Sequence, residues 1–166
     1  MEPLLDAASL PTAGDDAAHM DDALAEARAA VAHDDVPVGA VVVRGGKVIA
    51  RGHNRREIDH DPTAHAEVLA LRVAGAALGR WRLSDCALYV TVEPCAMCGG
   101  AIVLARMPLV VFGAPDDKAG AVVSVAQLFE EPKLNHHPKW RLGVGRAESE
   151  KLLRDFFATH RGVPSA

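Results

Sequence analysis

The pattern of apolar and polar positions predicts a helix early in the chain. Apolar residues in the segment 24–31 recur every three to four positions, which is the spacing of one helical face. The side chain of Asp21 or Asp22 can accept a free amide of the first turn, so we expect the helix to begin there and end near His33. Residues 1–19 are rich in Ala, Asp, Pro and Gly without a period, and we expect a flexible acidic leader.

An antiparallel pair of strands is predicted next. Residues 38–43 are almost entirely apolar, which is typical of a strand that is covered on both faces. Gly45-Gly46 is a two-residue hairpin signal, and residues 47–52 then form the second strand.

Helices and strands alternate through the rest of the chain. Thr63 is the expected N-cap of a buried helix over residues 64–78, which Gly79 ends. Strands separated by helices favour parallel crossovers, so we predict an α/β fold with three layers, α/β/α, around a mixed five-stranded sheet. The other predicted elements are strands at 86–92, 109–112 and 142–144, and helices at 95–106, 122–129 and 148–161.

Length and composition narrow the class of protein. We expect residues 20–166 to form a single domain, because a chain of 166 residues can bury one core. No uninterrupted apolar run reaches the roughly 20 residues of a membrane span, and the acidic start is the opposite of a secretory signal. Three cysteines, two of them in one C-x-x-C, suit a reduced compartment. We therefore expect a cytoplasmic protein without a membrane partner.

The net charge of −4 at first disfavours a nucleic-acid partner. Its distribution changes this picture, because the first 22 residues hold six acids and no Lys or Arg. The remaining chain carries a net charge of +2, which leaves room for a basic surface patch.

Two short motifs carry the candidate chemistry. His65 and Glu67 lie in an H-x-E, and Cys95 and Cys98 lie in a P-C-x-x-C that follows a predicted strand. A catalytic zinc takes three N or S ligands and leaves its fourth position to water. His65, Cys95 and Cys98 supply three ligands, so Glu67 is free to transfer protons. The spacing thus predicts a hydrolytic zinc site.

A redox pair or a structural zinc site could also contain a C-x-x-C. A redox C-x-x-C normally accompanies a thioredoxin-like pattern, which this sequence lacks. A structural zinc site, as in a non-catalytic binding module, needs a fourth ligand, and no candidate stands at knuckle spacing. Glu67 also argues against such a module, because a structural site has no use for a free carboxylate. The candidates for a fourth ligand are Cys86, His53 and His60.

The motifs carry a family resemblance. H-A-E followed by P-C-x-x-C is the signature of zinc nucleoside and nucleobase deaminases, and the chain resembles the bacterial tRNA-specific adenosine deaminases over residues 20–160. The resembling stretches are 36–41, 54–55, 61–67, 88–98, 111–114, 116, 135–136 and 152–157.

This resemblance implies a cytidine deaminase-like fold, one Zn²⁺ per subunit and a homodimer. The implied reaction is hydrolytic deamination of the wobble adenosine to inosine in a tRNA anticodon stem-loop, that of an arginine tRNA, with Glu67 as proton shuttle. By the same resemblance, Asn54 would hydrogen-bond the flipped nucleoside and Asp116 would contact the nucleotide. Single-stranded bases stack on aromatic side chains, so Phe156 and Phe157 are candidate contacts.

Alternatives remain open at these secondary positions. Asn54 can simply cap a strand end, and Asp116 can be an ordinary turn residue. Phe156 and Phe157 point about 100° apart on a helix, so at least one is expected in the core. The zinc motifs also fit a free nucleobase deaminase acting on guanine or cytosine. The choice of tRNA rests on the sequence after the motifs.

Overall fold

The structure, a computed structural model, describes residues 10–160 of the chain. Two 3-10 helices, Ala13–Asp15 and Leu128–Glu130, accompany the strands and α-helices of this region. Within these residues, no helix is both long and apolar enough to cross a membrane. The strands are β1 (Gly39–Arg44), β2 (Lys47–His53), β3 (Cys86–Val92), β4 (Leu109–Ala114) and β5 (Lys139–Leu142). The helices are α1 (Asp16–Val31), α2 (Arg56–Asp59), α3 (Ala66–Leu78), α4 (Ala96–Leu104) and α5 (Arg146–Thr159).

The strands form one mixed sheet in the order β2-β1-β3-β4-β5. β1 lies antiparallel to both β2 and β3, whereas β4 is parallel to β3 and to β5. β2 and β3 therefore run in the same direction, and their carboxyl ends lie at one edge. Gly45 and Gly46 both adopt positive φ, as a tight hairpin turn requires. The mixed five-stranded sheet and the hairpin are confirmed.

Helices cover both faces of the sheet. Met20 and Leu24 of α1, together with Leu152 of α5, pack in a core cluster with the side chains that β1, β3 and β4 direct to one face. Leu71 of α3 and Ile102 of α4 pack in a second cluster on the opposite face. β3 lies between these layers, and all seven of its residues are buried. The three-layer α/β/α architecture is confirmed.

The predicted start of the first helix is wrong. α1 begins at Asp16 and not at Asp21 or Asp22, and a 3-10 turn precedes it. Asp16 is buried, and its carboxylate accepts the Tyr89 hydroxyl and the Arg141 guanidinium. These distant partners extend the helix by more than one turn into the predicted leader. Residues 13–19 of that leader are thus helical, and residues 1–9 lie outside the described part of the chain.

Two predictions after β4 are also wrong. Residues 122–129 are not an α-helix, because the amides of residues 122–124 donate to the carboxylate of Glu93. Only Leu128–Glu130 winds into a short 3-10 helix. The last strand is Lys139–Leu142, parallel to β4, and not 142–144. Gly143, at φ 91°, ends it.

The helix boundaries around the motifs differ in detail from the prediction. His65, and not Thr63, is the N-cap of α3, because Thr63 instead donates its amide and hydroxyl to Asp61. α2 lies between β2 and α3, where the sequence pattern predicted no helix. α4 starts one residue later and ends two residues earlier than predicted, and α5 begins at Arg146.

Candidate active site

The candidate active site lies where two helices begin at one edge of the sheet. α3 has His65 as its N-cap and Glu67 in its first turn. α4 has Cys95 as its N-cap and Cys98 in its first turn. These helices follow β2 and β3, which run in the same direction, so both N-termini lie beyond the carboxyl ends of strands. Ligand sites in α/β sheets commonly lie at this position.

His65, Cys95 and Cys98 form a group that can hold a metal ion. The Nδ1 atom of His65 lies 3.6 Å from Sγ of Cys95 and 3.4 Å from Sγ of Cys98. The three ligand atoms all lie within 4.8 Å of one another. A tetrahedral zinc ion with bonds of about 2.1–2.3 Å separates its ligands by about 3.4–3.8 Å. The donor set and its spacing therefore fit zinc.

None of the three candidates for a fourth protein ligand belongs to this group. In the described part of the chain, no further set of three His, Cys, Asp or Glu side chains meets the same spacing. Cys86 is fully buried, and burial followed by the charge of Asp85 raises its pKa to about 12. Cys86 therefore acts as a small apolar core residue. The group therefore offers three protein ligands to a metal ion, the number expected of a catalytic zinc site.

Hydrogen bonds among His65, Cys95 and Cys98 shift the pKa values of all three candidate ligands. Hydrogen bonds from Cys98 and then from His65 lower the pKa of Cys95 to about 3, against the opposing effect of burial. The bond to Cys95, together with burial, raises the pKa of Cys98. The same thiolate raises the pKa of His65. Cys95 is thus a thiolate that two neighbouring protons stabilise, and a metal ion would displace both.

Glu67 lies beside the metal group and does not belong to it. Its side chain is 4% exposed. Burial raises the pKa of Glu67 from 4.5 to about 7, with a smaller opposing effect from its hydrogen bonds. A carboxyl group with this pKa can both accept and return a proton near neutral pH.

One pocket brings most of the predicted site residues together. Its volume is about 250 Å³, and Asn54, His65, Glu67, Cys95 and Asp116 are among the residues that line it. It is smaller than two grooves elsewhere on the described surface, of about 570 and 660 Å³, but neither of those is lined by His65, Glu67 or Cys95. This pocket is therefore the candidate active site.

Asn54 and Asp116 line the pocket, and each also accepts hydrogen bonds from nearby backbone amides. The side-chain oxygen of Asn54 accepts the amide of Ala66 at 2.9 Å and so caps the first turn of α3. Within residues 10–160, its side-chain nitrogen has no hydrogen-bond partner. Asp116 accepts the amides of Lys118 and Ala119, as a turn residue does. Both therefore fit the turn or capping alternative, and both still face the pocket.

Phe156 and Phe157 lie apart from the pocket, since neither lines it. Phe156 is buried and stacks on His160, whereas Phe157 is 52% exposed and meets Phe156 edge to face. The expectation that one of the two belongs to the core is confirmed. Phe157 is the one that is free to contact another molecule.

Glu93 belongs to the pocket, although the sequence motifs did not predict it as a site residue. This residue follows β3 directly, is 3% exposed and lines the pocket. Burial opposes its ionisation, but hydrogen bonds from Ser124 and the amides of residues 122–124 prevail and lower the pKa of Glu93. A signal was present in the sequence, because a carboxylate at the end of an almost wholly apolar strand needs several donors to remain buried.

Arg56 also lines the pocket, although the motifs did not predict it as a site residue. Asp35, itself fully buried, accepts the amides of Val36 and Glu57 and lies 3.5 Å from the Arg56 guanidinium. These contacts fix α2 beside the pocket and bring a cation to its rim.

Comparison with known proteins decides the family. Residues 14–161 match the MafB19-like deaminase family. A tRNA-specific adenosine deaminase of Agrobacterium fabrum is 47% identical over 142 residues, which cover 86% of this chain and 93% of that protein. The corresponding protein of Bacillus subtilis is 45% identical, with coverage of 86% and 88%. This chain belongs to the tRNA-specific adenosine deaminase family.

Solved structures agree with this family. A structure from a study of A-to-I editing by tRNA:A34 deaminases at the wobble position matches this deaminase with a TM-score of 0.80 and 46% identity, covering 82% of this chain and 99% of that one. A guanine deaminase of Nitrosomonas europaea matches with a TM-score of 0.76 and 28% identity, covering 90% and 87%. The cytidine deaminase-like fold and the resemblance drawn from the motifs are confirmed.

Proposed function

We propose that this deaminase converts adenosine to inosine by hydrolysis at the wobble position of a tRNA anticodon. The observation that carries the proposal is the meeting of Glu67 with the metal group of His65, Cys95 and Cys98 in one pocket. The names of relatives at 45–47% identity support adenosine in tRNA as the substrate. We propose one Zn²⁺ per subunit, held by these three ligands.

The chain's own residues supply binding and proton transfer. Zinc, when bound, polarises a water molecule and lowers its pKa to about 7. Glu67, with a pKa near 7 in its buried position, takes up a proton and returns it to the purine ring and the leaving amine. Because Glu67 lies in the first turn of α3, it lines the pocket without belonging to the group that can hold the metal.

Substrate contacts follow from the walls of the pocket. A volume of about 250 Å³ suits a single base that has been turned out of its strand. Asn54 presents its side-chain nitrogen as a donor to the nucleoside, and Asp116 borders the same space. Phe157 offers an exposed ring on which an unpaired anticodon base can stack, with Phe156 supporting it from below.

We also propose an RNA partner, a place of action and an oligomeric state for this deaminase. We propose an anticodon stem-loop of an arginine tRNA as the RNA and the cytoplasm as the place of action, since tRNA is modified there. A homodimer is supported by an apolar groove of about 570 Å³ between α3 and α4. Trp81 and Leu104 on its rim are 60% and 70% exposed, and large exposed apolar patches commonly mark interfaces. Sedimentation of Trp81→Glu against the unchanged protein tests the dimer.

A free-base deaminase is the second candidate, because the guanine deaminase of Nitrosomonas europaea shares the fold. The test incubates purified protein with an arginine-tRNA anticodon stem-loop carrying wobble adenosine, and separately with guanine and with cytosine. We expect inosine in the RNA and no change in the free bases. Conversion of a free base with the RNA untouched would contradict the proposal in favour of the second candidate. A stem-loop with wobble guanosine is the matched control RNA.

A further inference from the structure

A single carboxylate organises one wall of the pocket. Both oxygens of Glu93 accept hydrogen bonds from the segment 116–124, which includes two pocket-lining residues, Asp116 and Ala119. We propose that Glu93 is a positioning residue for substrate binding: it holds this segment in the shape that the tRNA nucleotide meets. The inference rests on the proposed function, because it assigns the wall to that nucleotide.

The two oxygens anchor different parts of the segment. Oε2 accepts the amides of Val122, Val123 and Ser124, each at 3.1 Å. Oε1 accepts the amide of Asp116 at 3.2 Å and the hydroxyl of Ser124 at 2.5 Å. The carboxylate therefore ties together both ends of a loop that no regular element holds. Such charge-assisted bonds are stronger than bonds between neutral groups.

Between these anchors the loop runs along a metal ligand. Gly120 pairs with Cys95 in an isolated antiparallel bridge, and the amide of Ala121 donates to the carbonyl of Pro94 at 2.8 Å. The backbone of the loop that forms the wall is thus hydrogen-bonded to the backbone that carries Cys95. A displacement of the loop would change the distance between the substrate wall and the metal group.

Gly120 shows how closely the loop follows the carboxylate. A Cβ atom at this position would lie 2.2 Å from Oε2 of Glu93, so a side chain there would have to displace the carboxylate. The carboxylate therefore occupies the inside of the turn, and the backbone wraps directly around it. Because four of the five hydrogen bonds to Glu93 come from backbone amides, they fix the path of the loop largely independently of its side chains.

Kinetic and binding measurements distinguish a positioning role of Glu93 from a purely structural one. If Glu93 only stabilised the fold, its loss would reduce the fraction of active protein and leave the KM of that fraction unchanged. A positioning role predicts weaker RNA binding with the zinc content retained. Steady-state kinetics, binding and hydrogen exchange together separate the two cases.

The test compares Glu93→Gln with Ser124→Ala in the zinc-loaded enzyme. Glutamine has only one side-chain oxygen, which can accept the three amides of residues 122–124. Its side-chain nitrogen then faces the amide of Asp116 and cannot accept a hydrogen bond from it, so the Asp116 end of the loop is no longer held. We expect KM for the stem-loop to rise about tenfold, the effect of losing one charge-assisted bond, with kcat nearly unchanged. Ser124→Ala removes only a hydroxyl from the same oxygen, and we expect a smaller rise in KM.

Two measurements do not depend on turnover. In a Glu67→Ala background, Glu93→Gln should weaken stem-loop binding by about the same tenfold factor and leave zinc per subunit unchanged. Hydrogen exchange should accelerate in residues 116–124 and not in α1. Should Glu93→Gln fail to fold, Glu93→Asp keeps the charge but shortens the reach, and the same rise in KM is expected.

Specific results would overturn the inference. These are unchanged exchange in residues 116–124, a fall in kcat with KM and RNA affinity unchanged, or equal effects of Glu93→Gln and Ser124→Ala. Failure of the proposed function is a separate result, because it would appear as an absence of inosine with the unsubstituted enzyme.

Discussion

The amide of Ala66 donates a hydrogen bond of 2.9 Å to the side-chain oxygen of Asn54. This bond links the residue after β2 to the first turn of α3, which carries His65 and Glu67. Asn54 thus caps the helix start that carries His65, and it also lines the candidate pocket. These two roles can be separated by substitution.

Asn54→Asp should separate capping from substrate binding. An aspartate keeps the oxygen that caps α3, and its charge suits a helix N-terminus. It lacks the nitrogen donor, so we expect full zinc content, unchanged stability and a loss of about 10- to 100-fold in kcat/KM for the stem-loop. Asn54→Ala should in addition lose about 1 kcal/mol of unfolding free energy. Thermal unfolding and kinetics measure these effects, and full activity of Asn54→Asp would refute the donor role.

Glu67→Ala and Cys95→Ser should fail for different reasons. Glu67 lies outside the group that can hold a metal ion, so its alanine variant should retain stoichiometric zinc and lose activity by at least about 100-fold. Cys95→Ser replaces a thiolate with a weaker ligand, so zinc itself should be lost. Metal content by atomic emission and inosine formation measure both. Glu57→Ala, an exposed acid near the pocket, is the control that should keep zinc and activity.

Glu67 should destabilise the metal-free protein at alkaline pH. Burial favours the neutral acid, so its folded pKa of about 7 is above the unfolded value of 4.5. The stability that the neutral acid contributes is complete below pH 4.5 and is lost as pH rises through about 7. Glu67→Gln stays neutral, so at pH 8 we expect it to be more stable than the parent by about 3 kcal/mol, and by almost nothing at pH 4. Urea unfolding of the metal-free proteins at both values tests this, and equal differences would contradict it.

Local sequence patterns predicted the elements whose contacts are local. β3 was predicted with its observed bounds because all its residues are apolar except Thr91, and Pro94 follows soon after it. The hairpin followed from Gly45-Gly46, since two glycines suffice to make a tight turn. The candidate site residues could be predicted because His65 and Glu67 lie at one helix start and Cys95 and Cys98 at another, so each pair is placed by local geometry.

The errors occurred where a distant partner overrides the local pattern. The apolar run at residues 122–129 has helical character, but Glu93, about 30 positions earlier, captures three of its amides. The start of α1 depends on Arg141, which is 125 residues from Asp16. Periodicity carries no information about such pairs. The role of Glu93 was hidden for the same reason, since its partners all come from a later loop.

Alkylation should distinguish the cysteines in the metal-free protein. Cys95 is a thiolate at neutral pH, whereas burial keeps Cys86 protonated with a pKa of about 12. Iodoacetamide at neutral pH should modify Cys95 first and leave Cys86 unmodified until denaturant is added. Zinc should protect Cys95 from modification. Peptide mass spectrometry identifies the modified site, and modification of Cys86 in the folded protein would contradict the assignment.

The buried contact of Asp16 with Tyr89 tests whether the region before residue 20 belongs to the fold. The Tyr89 hydroxyl donates to Asp16 at 2.7 Å, and Arg141 binds the same carboxylate. Tyr89→Phe removes one bond to a charged acceptor and should cost about 1–2 kcal/mol of unfolding free energy. Asp16→Ala should cost more, because it leaves the buried Tyr89 hydroxyl without its acceptor. In the double variant the loss should be smaller than the sum of the two single losses, since both substitutions remove the Asp16–Tyr89 bond. Denaturant unfolding of the three variants measures this coupling, and fully additive losses would mean that the Asp16–Tyr89 contact does not stabilise the native protein.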